Sequence, residues 1–152
     1  MKTVKFFTLC LLGILASGFF GMASEFEAAL VENVKIWDRA EYNSFVDLVR
    51  FKETWFCTFR EGEHHVYGKD GKIRVLKSDN GTDWVSAVLI AEDGVDLRDP
   101  KITVTPDGRL MLVIGGSVYD GKTLVSRQPR VAFSGDGKEW SPLEPVLSLI
   151  HI

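Results

Sequence analysis

The sequence predicts an all-β fold in which a four-stranded antiparallel sheet is repeated along the chain, as in the blades of a β-propeller. The frame Ser-x-(Asp/Asn)-Gly-x-x-Trp occurs at residues 78–84 and returns at residues 134–140. The two serines and the two tryptophans are each separated by 56 residues, and each copy follows a run with strand-like alternation. A unit that repeats at about 50 residues is typical of propeller blades.

Each copy of this frame is expected to form a tight turn. The short Asp or Asn side chain can accept hydrogen bonds from backbone N–H groups one or two residues further on. The glycine supplies a positive φ at no steric cost, and the Trp begins the next strand and covers the turn with its apolar face. The alternative is two unrelated polar hairpin turns, which would have no reason to share one spacing.

The strands are expected in two groups. Residues 42–95 form the first predicted blade, and residues 96–146 form the second, with residues 96–100 as the loop that links them. A segment at residues 24–41 with some helical periodicity leads into the first blade. The predicted strands, read from alternating apolar residues and intervening turn residues, are 45–51, 55–60, 73–77 and 84–91 in the first blade and 101–105, 110–114, 130–133 and 140–146 in the second.

Two blades cannot close a propeller, which needs about four to eight. We therefore expect the chain to be a fragment of a longer protein. The last six residues, 147–152, are apolar without a capping residue, and they are also what the end of a transposase library adapter encodes. This segment is predicted to be a non-native tail, with a genuine apolar terminus as the alternative.

Residues 1–23 have the features of a signal peptide. Two lysines precede an apolar run at residues 6–20, and the small residues Gly21 and Ala23 suit cleavage after residue 23. The run is shorter than the roughly 20 residues that span a bilayer, which favours a secreted or periplasmic location over a membrane anchor. No membrane contact is expected after cleavage.

The composition argues against several classes of function. The net charge is −3, the pI is about 5.6 and no basic cluster follows the N-terminus, so no nucleic-acid partner is expected. No Gly-rich phosphate loop occurs, and no cofactor is expected. His64 and His65 would point to opposite faces of a strand, so no metal site is predicted. Cys57, alone after signal cleavage, is expected to be a buried small hydrophobe.

One candidate for chemistry is Arg60, which ends the second predicted strand. A guanidinium at the start of a loop can bind a carboxylate through two parallel hydrogen bonds. The alternative is an exposed Arg that pairs with Glu61 or Glu63, a contact of little energetic value.

Two further candidates contain carboxylates. In the predicted loop 96–100, Asp96 and Asp99 flank Arg98, which suits a polar ligand site, with a solvated loop as the alternative. Asp70 is followed directly by a glycine, a pair that most often forms only a turn.

Together these features resemble the sialidase (neuraminidase) superfamily, in particular bacterial secreted exo-α-sialidase-like proteins. The resemblance spans roughly residues 42–140. It rests on residues 43–48, on Phe-Arg-Glu at 59–61, on Asp-Leu-Arg-Asp-Pro at 96–100 and on the two turns, which look like Asp boxes. It implies a six-bladed β-propeller with a central active site, of which this chain would be about two blades.

The resemblance also implies which residues bind the substrate. Arg60 matches the first of the three Arg residues with which sialidases hold the sialic-acid carboxylate. In the family this Arg is followed by Ile-Pro, whereas here Glu61 and Gly62 follow it. Sialylated or other anionic glycans are the expected partners. The candidate substrate-binding residues are Arg60, Arg98, Glu61 and His65.

The candidate catalytic residues implied by the resemblance are Asp70 and Asp99. Asp99 looks like the family's Asp before Pro, which lines the pocket near the sugar ring. The family's acid/base Asp precedes the third strand of the first blade. Asp70 is the nearest carboxylate to that place, and Glu63 and His65 are the alternatives.

The mechanism implied by the resemblance is retaining glycoside hydrolysis with a Tyr nucleophile. A Tyr suits a substrate whose own carboxylate would repel a carboxylate nucleophile. The Tyr–Glu pair and the other two Arg residues belong to later blades in this family, and Tyr42, Tyr67 and Tyr119 do not sit at matching positions. The chain is therefore expected to be inactive alone.

Two other functions are compatible with the sequence. A non-catalytic propeller that binds glycans or protein would keep the turns and would need no acid/base group. Another propeller glycosidase is the second alternative, because the Arg-Asp-Pro at residues 98–100 also resembles a motif of five-bladed fructosidase-like enzymes. In those enzymes the Asp stabilises the transition state. The Asp-box-like turns favour the sialidase type.

Overall fold

The computed structural model of the protein describes residues 29–146. The predicted signal peptide and the predicted non-native tail lie outside the described residues. Every described strand lies in the compact unit that begins at Val34. All regular structure in residues 29–146 is β, which confirms the all-β part of the predicted fold there. No helix in this part of the chain is long and apolar enough to cross a membrane.

The first sheet is a four-stranded antiparallel meander. Its strands pair in sequence order, and each predicted strand of this sheet agrees with an observed one to within three residues at either end. The strands are β1 (Tyr42–Phe51), β2 (Thr54–Gly62), β3 (Lys72–Ser78) and β4 (Val85–Ile90).

The second sheet is also antiparallel, and it has five strands. Four of them follow the order β5-β6-β8-β9, and β7 folds back on the far end of β6 as a hairpin. The strands are β5 (Asp96–Val104), β6 (Leu110–Asp120), β7 (Thr123–Arg127), β8 (Arg130–Ser134) and β9 (Glu144–Pro145).

The predicted loop at residues 96–100 is wrong, because these residues form the first half of β5. Pro100 cannot donate a ladder hydrogen bond. The strand accommodates it at an irregularity, where the pairing register with β6 shifts between Arg98 and Lys101. Such bulges interrupt the ladder locally without ending the strand.

Two other differences lie in the second sheet. The β6–β7 hairpin was not predicted, although the Asp-Gly pair at residues 120–121 is a hairpin signal. The strand expected at residues 140–146 is reduced to Glu144–Pro145. Pro142 and Pro145 explain this reduction, because neither has an N–H group to donate to a neighbouring strand.

Residues 29–41 form no helix, contrary to the periodicity read at residues 24–41. Trp37 accounts for the difference. Its Nε1 donates to Oε1 of Glu61 on β2 at 2.7 Å, and its ring lies against Phe59 with 6.5 Å between the centroids. A tertiary contact of this kind overrides a weak helix propensity.

The main hydrophobic core lies between the two sheets. Phe56, Ile73 and Val75 of the first sheet pack with Leu112 and Ile114 of the second, and all five are at most 2% exposed. Each of these side chains contributes about 1.5–3 kcal/mol by leaving water. The apolar faces of the two sheets therefore hold them against each other.

The outer face of the first sheet carries a smaller cluster of Cys57, Phe59 and Leu76, with Trp37 packed against it. Cys57 is free and buried, as the sequence predicted. Burial raises the pKa of its thiol to about 11, and the charge of Asp47 adds to this effect. The thiol stays protonated at neutral pH and is therefore a packing group and no nucleophile.

The turn at residues 78–84 has the predicted hydrogen bonds, but Trp84 lies just before β4 and does not begin it. Oδ1 of Asn80 accepts hydrogen bonds from the N–H groups of residues 82 and 83 at 3.0 and 2.9 Å. Oγ of Ser78 accepts from the N–H of Gly81 at 2.9 Å. Nε1 of Trp84 donates to the Gly81 carbonyl at 3.0 Å, which closes the turn under the indole ring.

The turn at residues 134–140 repeats these four hydrogen bonds at equivalent positions. Oδ1 of Asp136 accepts from the N–H groups of residues 138 and 139 at 2.8 and 3.0 Å. Oγ of Ser134 accepts from the N–H of Gly137 at 2.7 Å, and Nε1 of Trp140 donates to the Gly137 carbonyl at 3.3 Å. The two frames are therefore one structural device used twice.

The first strands of the two sheets are irregular at matching places. The register of β1 shifts after Ser44, and that of β5 shifts after Arg98. In each irregularity one non-glycine residue takes a positive φ, 60° at Phe45 and 49° at Asp99. The two bulges therefore bend both strands at corresponding positions, next to Arg60 and Arg98.

Candidate functional site between the two sheets

A buried arginine lies at one end of the interface between the sheets. Arg60, near the end of β2, is 1% exposed. Its Nη2 donates to Oδ1 of Asp96, the first residue of β5, at 2.8 Å, and its Nη1 donates to the carbonyl of His64 at 2.7 Å. Its Nε is buried without a partner among the described residues. This ion pair connects the two sheets where water does not screen it.

Two glycines make room for the Arg60 side chain. A Cβ atom on either Gly62 or Gly71 would collide with its guanidinium. The N–H of Gly71 also donates to Oδ1 of Asp96 at 2.8 Å, and its carbonyl accepts from the N–H of Leu97 at 3.1 Å. Gly71 is thus required for space beside Arg60, and its backbone joins β5 to the loop before β3.

A second arginine shares the same carboxylate. Nη2 of Arg98 lies 3.0 Å from Oδ2 of Asp96 and donates to the carbonyl of His65 at 2.8 Å. Its side chain is 11% exposed, and its Nη1 makes no hydrogen bond within residues 29–146. Two guanidinium groups against one carboxylate leave a net positive charge. An anionic ligand that reaches Arg98 would balance this charge.

A cleft of about 30 Å³ opens beside this cluster. Arg60 and Asp96 line its buried side, the β2–β3 loop contributes Tyr67 and Asp70, and the β6–β7 hairpin contributes Tyr119. A space of this size holds a water molecule or one small polar substituent, and it excludes a sugar ring. In the described part of the chain, no group of three His, Cys, Asp or Glu side chains could hold a metal ion.

The two candidate catalytic residues lie in different surroundings. Asp70 is exposed in the β2–β3 loop and lines the cleft together with Arg60. Asp99 is exposed in the bulge of β5 and does not line the cleft. The carboxylate that meets Arg60 is Asp96, three residues earlier. Strand alternation was the signal that could have found it, because residues two apart, such as Asp96 and Arg98, share one face.

The side chain of Glu61 does not lie beside that of Arg60. Successive residues of a strand point to opposite faces, and Glu61 lies on the outer face of the first sheet. There Arg74 binds it through two hydrogen bonds, from Nε to Oε1 at 2.9 Å and from Nη2 to Oε2 at 3.0 Å. Trp37 donates to the same carboxylate. Glu61 therefore holds Trp37 and Arg74 on the outer face of the first sheet.

His65 joins the cluster through its backbone. Its carbonyl accepts the hydrogen bond from Arg98, and its ring stands beside β1. Nδ1 lies 2.8 Å from the hydroxyl of Tyr42, and the ring centroid is 5.4 Å from that of Phe45. The Tyr42 contact and the bulge at Phe45 therefore orient the residue whose carbonyl holds Arg98.

An ion pair ties the ends of the β2–β3 loop together. Nζ of Lys69 is 2.8 Å from Oε1 of Glu63, and the N–H of Lys69 donates to Oε2 at 3.1 Å. The hydrogen bonds with Lys69 hold the pKa of Glu63 below its usual value. Glu63, an alternative acid/base candidate, is thus an ionised group that shapes the loop.

No known protein family and no curated protein matches the chain in sequence. Among the solved structures that match it in fold are two bacterial proteins. One is a protein of unknown function from Dyadobacter fermentans, with a TM-score of 0.56, 18% identity and coverage of 68% of this chain and 35% of that one. The other is a glycosyl hydrolase from Bacteroides ovatus, with a TM-score of 0.50, 16% identity and coverage of 65% and 30%. This chain therefore spans about a third of each of these proteins and shares their fold over that length.

Proposed function

We propose that this chain forms about two blades of a six-bladed β-propeller glycoside hydrolase of the sialidase type, which releases terminal sialic acid from glycoconjugates. The observation that carries the proposal is the cluster of Arg60, Asp96 and Arg98 beside the cleft. The fold shared with a solved glycosyl hydrolase supports a glycosidase, and the two Asp-box-like turns support the sialidase type. In this proposal the protein is secreted or periplasmic and acts on sialylated or other anionic glycans.

The charge of the cluster is the physical basis for an anionic substrate. A sialic-acid carboxylate would supply the negative charge that Asp96 alone does not provide. Arg98 is the group that we assign to bind it, because Arg98 keeps an exposed edge whereas Arg60 is fully enclosed. Hydrogen bonds between charged groups are roughly twice as strong as neutral ones. Arg60 is then a positioning residue that holds Asp96, and Asp96 holds Arg98.

We assign proton transfer to Asp70, the carboxylate that lines the cleft from the solvent side. A glycosidic oxygen at the mouth of the cleft would lie within its reach. Asp99, which is exposed in the bulge of β5 and does not line the cleft, would contact a part of the sugar that lies outside the cleft. The Tyr nucleophile, its Glu partner and the remaining Arg residues would come from further blades of the propeller.

The proposal is tested by hydrolysis of a fluorogenic sialoside by the full-length protein. Arg98→Ala is expected to lower kcat/KM about 30-fold or more, because loss of one partner of an enclosed charge pair costs at least about 2 kcal/mol. Asp70→Asn is expected to lower kcat by about 10²–10⁴, the usual value of a general acid. Arg109→Ala is the matched control, since Arg109 pairs with Asp107 at the opposite end of β5 and β6. Equal rates in Arg98→Ala and Arg109→Ala would contradict the assignment.

A non-catalytic glycan-binding propeller is the second candidate, and one observation favours it. Asp70 and Asp99 are both exposed, and neither side chain makes a hydrogen bond within the described residues. A general acid acts from a fixed position, which such contacts normally provide. In this case the full-length protein would bind a sialoside without cleaving it, and Asp70→Asn would leave the affinity unchanged.

A further inference from the structure

Two tyrosines from different sheets meet at the mouth of the cleft. Tyr67 belongs to the β2–β3 loop, and Tyr119 lies near the end of β6, where the β6–β7 hairpin begins. Their ring centroids are 6.1 Å apart and the ring planes are inclined at 73°, which is an edge-to-face contact. Both rings line the cleft that Arg60 and Asp96 also line.

Tyr67 occupies a position that neither burial nor backbone preference explains. It is 48% exposed, and its φ is 67°, in the left-handed region. A bulky residue there is a genuine outlier, and such strain costs on the order of 1–3 kcal/mol. Gly or Asn would suit this backbone better. An exposed aromatic ring held in strain beside a charged cleft indicates contact with a ligand.

The β6–β7 hairpin supplies the rest of this surface. Every residue of β7 is exposed, and the first sheet has no corresponding fifth strand, so the packing of the sheets does not require the hairpin. Its turn carries Lys122, whose Nζ lies 5.8 Å from the centroid of the Tyr67 ring. The hairpin thus brings one aromatic ring and one cation to the mouth of the cleft.

The size of the cleft determines which part of a sugar could enter it. About 30 Å³ admits a hydroxyl or carboxylate group but not a ring. The ring must therefore lie against the surface outside. A pyranose has an apolar C–H face and a polar edge, so it can stack on an aromatic side chain while its substituents reach polar groups.

We propose that Tyr67 and Tyr119 form an aromatic wall that binds the pyranose ring of a carboxylate-bearing sugar, with the carboxylate directed toward Arg98 and Lys122. This inference rests on the proposed function and adds the residues that bind the ring. Arg98 and Lys122 would attract the charge. Because the two ring planes are inclined at 73°, one ring would stack on the apolar face of the sugar and the other would contact its edge.

The test uses ligand-observed saturation-transfer NMR on the full-length protein with two probes, a methyl α-sialoside and the neutral methyl β-galactoside. Tyr67→Asn removes one ring and suits the left-handed backbone, and Tyr119→Ala removes the other. Each is expected to raise the Kd of the sialoside about three- to tenfold. Tyr67→Phe keeps the ring and is the matched control, with an expected change below about twofold. Saturation in the wild type should be strongest on the ring protons of the sugar.

The outcomes separate this inference from the proposed function. Unchanged sialoside binding in Tyr67→Asn and Tyr119→Ala would overturn the aromatic wall and leave the sialidase-type function standing. Binding of the galactoside alone, weakened by both changes, would support the wall and overturn that function. Binding of neither probe would overturn both. Urea unfolding of Tyr67→Asn, expected at an unchanged or higher midpoint because strain is relieved, excludes loss of the fold as the cause.

Discussion

The two sheets share their backbone devices and differ in the side chains that these devices present. Both start with a bulged strand, and both have the same hydrogen-bonded turn before their last strand. At the same level of the paired strands, Ser44 stands opposite Arg60 in the first sheet, and Arg98 stands opposite Gly115 in the second. The first sheet therefore provides a guanidinium from its second strand, β2, and the second sheet provides one from its first strand, β5. Both guanidinium groups contact Asp96.

This difference indicates where function enters a repeated fold. The turns and bulges recur because they set the course of the backbone, which both sheets need. The charged groups at the cleft each occur in one sheet only, at positions where the sequences of the two sheets differ. Small residues accompany each of them: Gly71 leaves space for Arg60, and a Cβ on Gly115 would stand 3.3 Å from Cγ of Arg98. A site of this kind is built onto the fold and is not implied by it.

The strongest way to break the connection between the sheets is Asp96→Ala. The change leaves Arg60 buried as an uncompensated charge next to Arg98. Removal of one partner of a buried ion pair costs about 3–5 kcal/mol, and the free energy of unfolding in urea should fall by that amount. Asp38→Ala is the control, because Asp38 pairs with Lys35 at the surface, where a pair is worth about 0–1 kcal/mol.

Similar losses in these two variants would show that the Arg60–Asp96 pair does not hold the sheets together. A double variant sharpens the result. Arg60→Met combined with Asp96→Leu replaces the pair by apolar groups, which in buried sites is often neutral or stabilising. We expect it to recover part of the stability lost in Asp96→Ala, because Arg98 and the N–H of Gly71 still lack their partner Asp96.

The next largest effect on the free energy of unfolding distinguishes the surroundings of the two turns. Gly81 and Gly137 have φ values of 79° and 76°. A Cβ on Gly137 would collide with the ring of Phe56 in the first sheet, whereas the nearest atom at Gly81 is Nε1 of Trp55 at 3.9 Å. Gly81→Ala should therefore cost about 1–2 kcal/mol from the backbone alone. Gly137→Ala should cost about 2–4 kcal/mol, since Phe56 must also move. Equal urea midpoints would mean that the second turn is not packed against the first sheet.

The turns could be predicted from the sequence because the hydrogen bonds that shape each one lie within seven contiguous residues. The same holds for most strands, whose alternating pattern is local. The pairing of Arg60 with Asp96 is different, because it joins residues 36 apart in two sheets. It depends on how the sheets pack and on where β5 begins. The expectation that residues 96–100 form a loop concealed that Asp96 and Arg98 share one face of a strand.

The aromatic residues at the cleft could not be predicted for a related reason. Tyr67 lies in a loop without periodicity, and Tyr119 lies in the β6–β7 hairpin, which was not predicted. Their contact arises only when two connections from different sheets converge. Glu61, in contrast, could have been separated from Arg60 by the alternation of β2 alone, because adjacent residues of a strand point to opposite faces.

The smallest effect on stability concerns the residue that accepts the backbone hydrogen bonds of each turn, which is Asn80 in the first turn and Asp136 in the second. Hydrogen bonds from the N–H groups of Lys138 and Glu139 lower the pKa of Asp136 below its usual 3.8. The folded chain therefore binds this proton less tightly than the unfolded chain. The stabilisation from the charge is complete above about pH 3.8 and is lost as the pH falls through the folded pKa.

Asp136→Asn is accordingly expected to flatten the decline in stability at acidic pH. Asn80→Asp is expected to steepen it by less, because the new carboxylate would replace the Asn80 amide that donates to Oδ2 of Asp83 at 2.7 Å. The measurement is the urea midpoint of each variant and of the wild type across about pH 2–5. Glu63 and Asp107, whose pKa values are also lowered, are common to all three proteins and cancel in the difference. Parallel curves for the wild type and Asp136→Asn would mean that the charge of Asp136 adds no stability beyond that of a neutral hydrogen-bond acceptor. The two turns would then be equivalent in energy as well as in geometry.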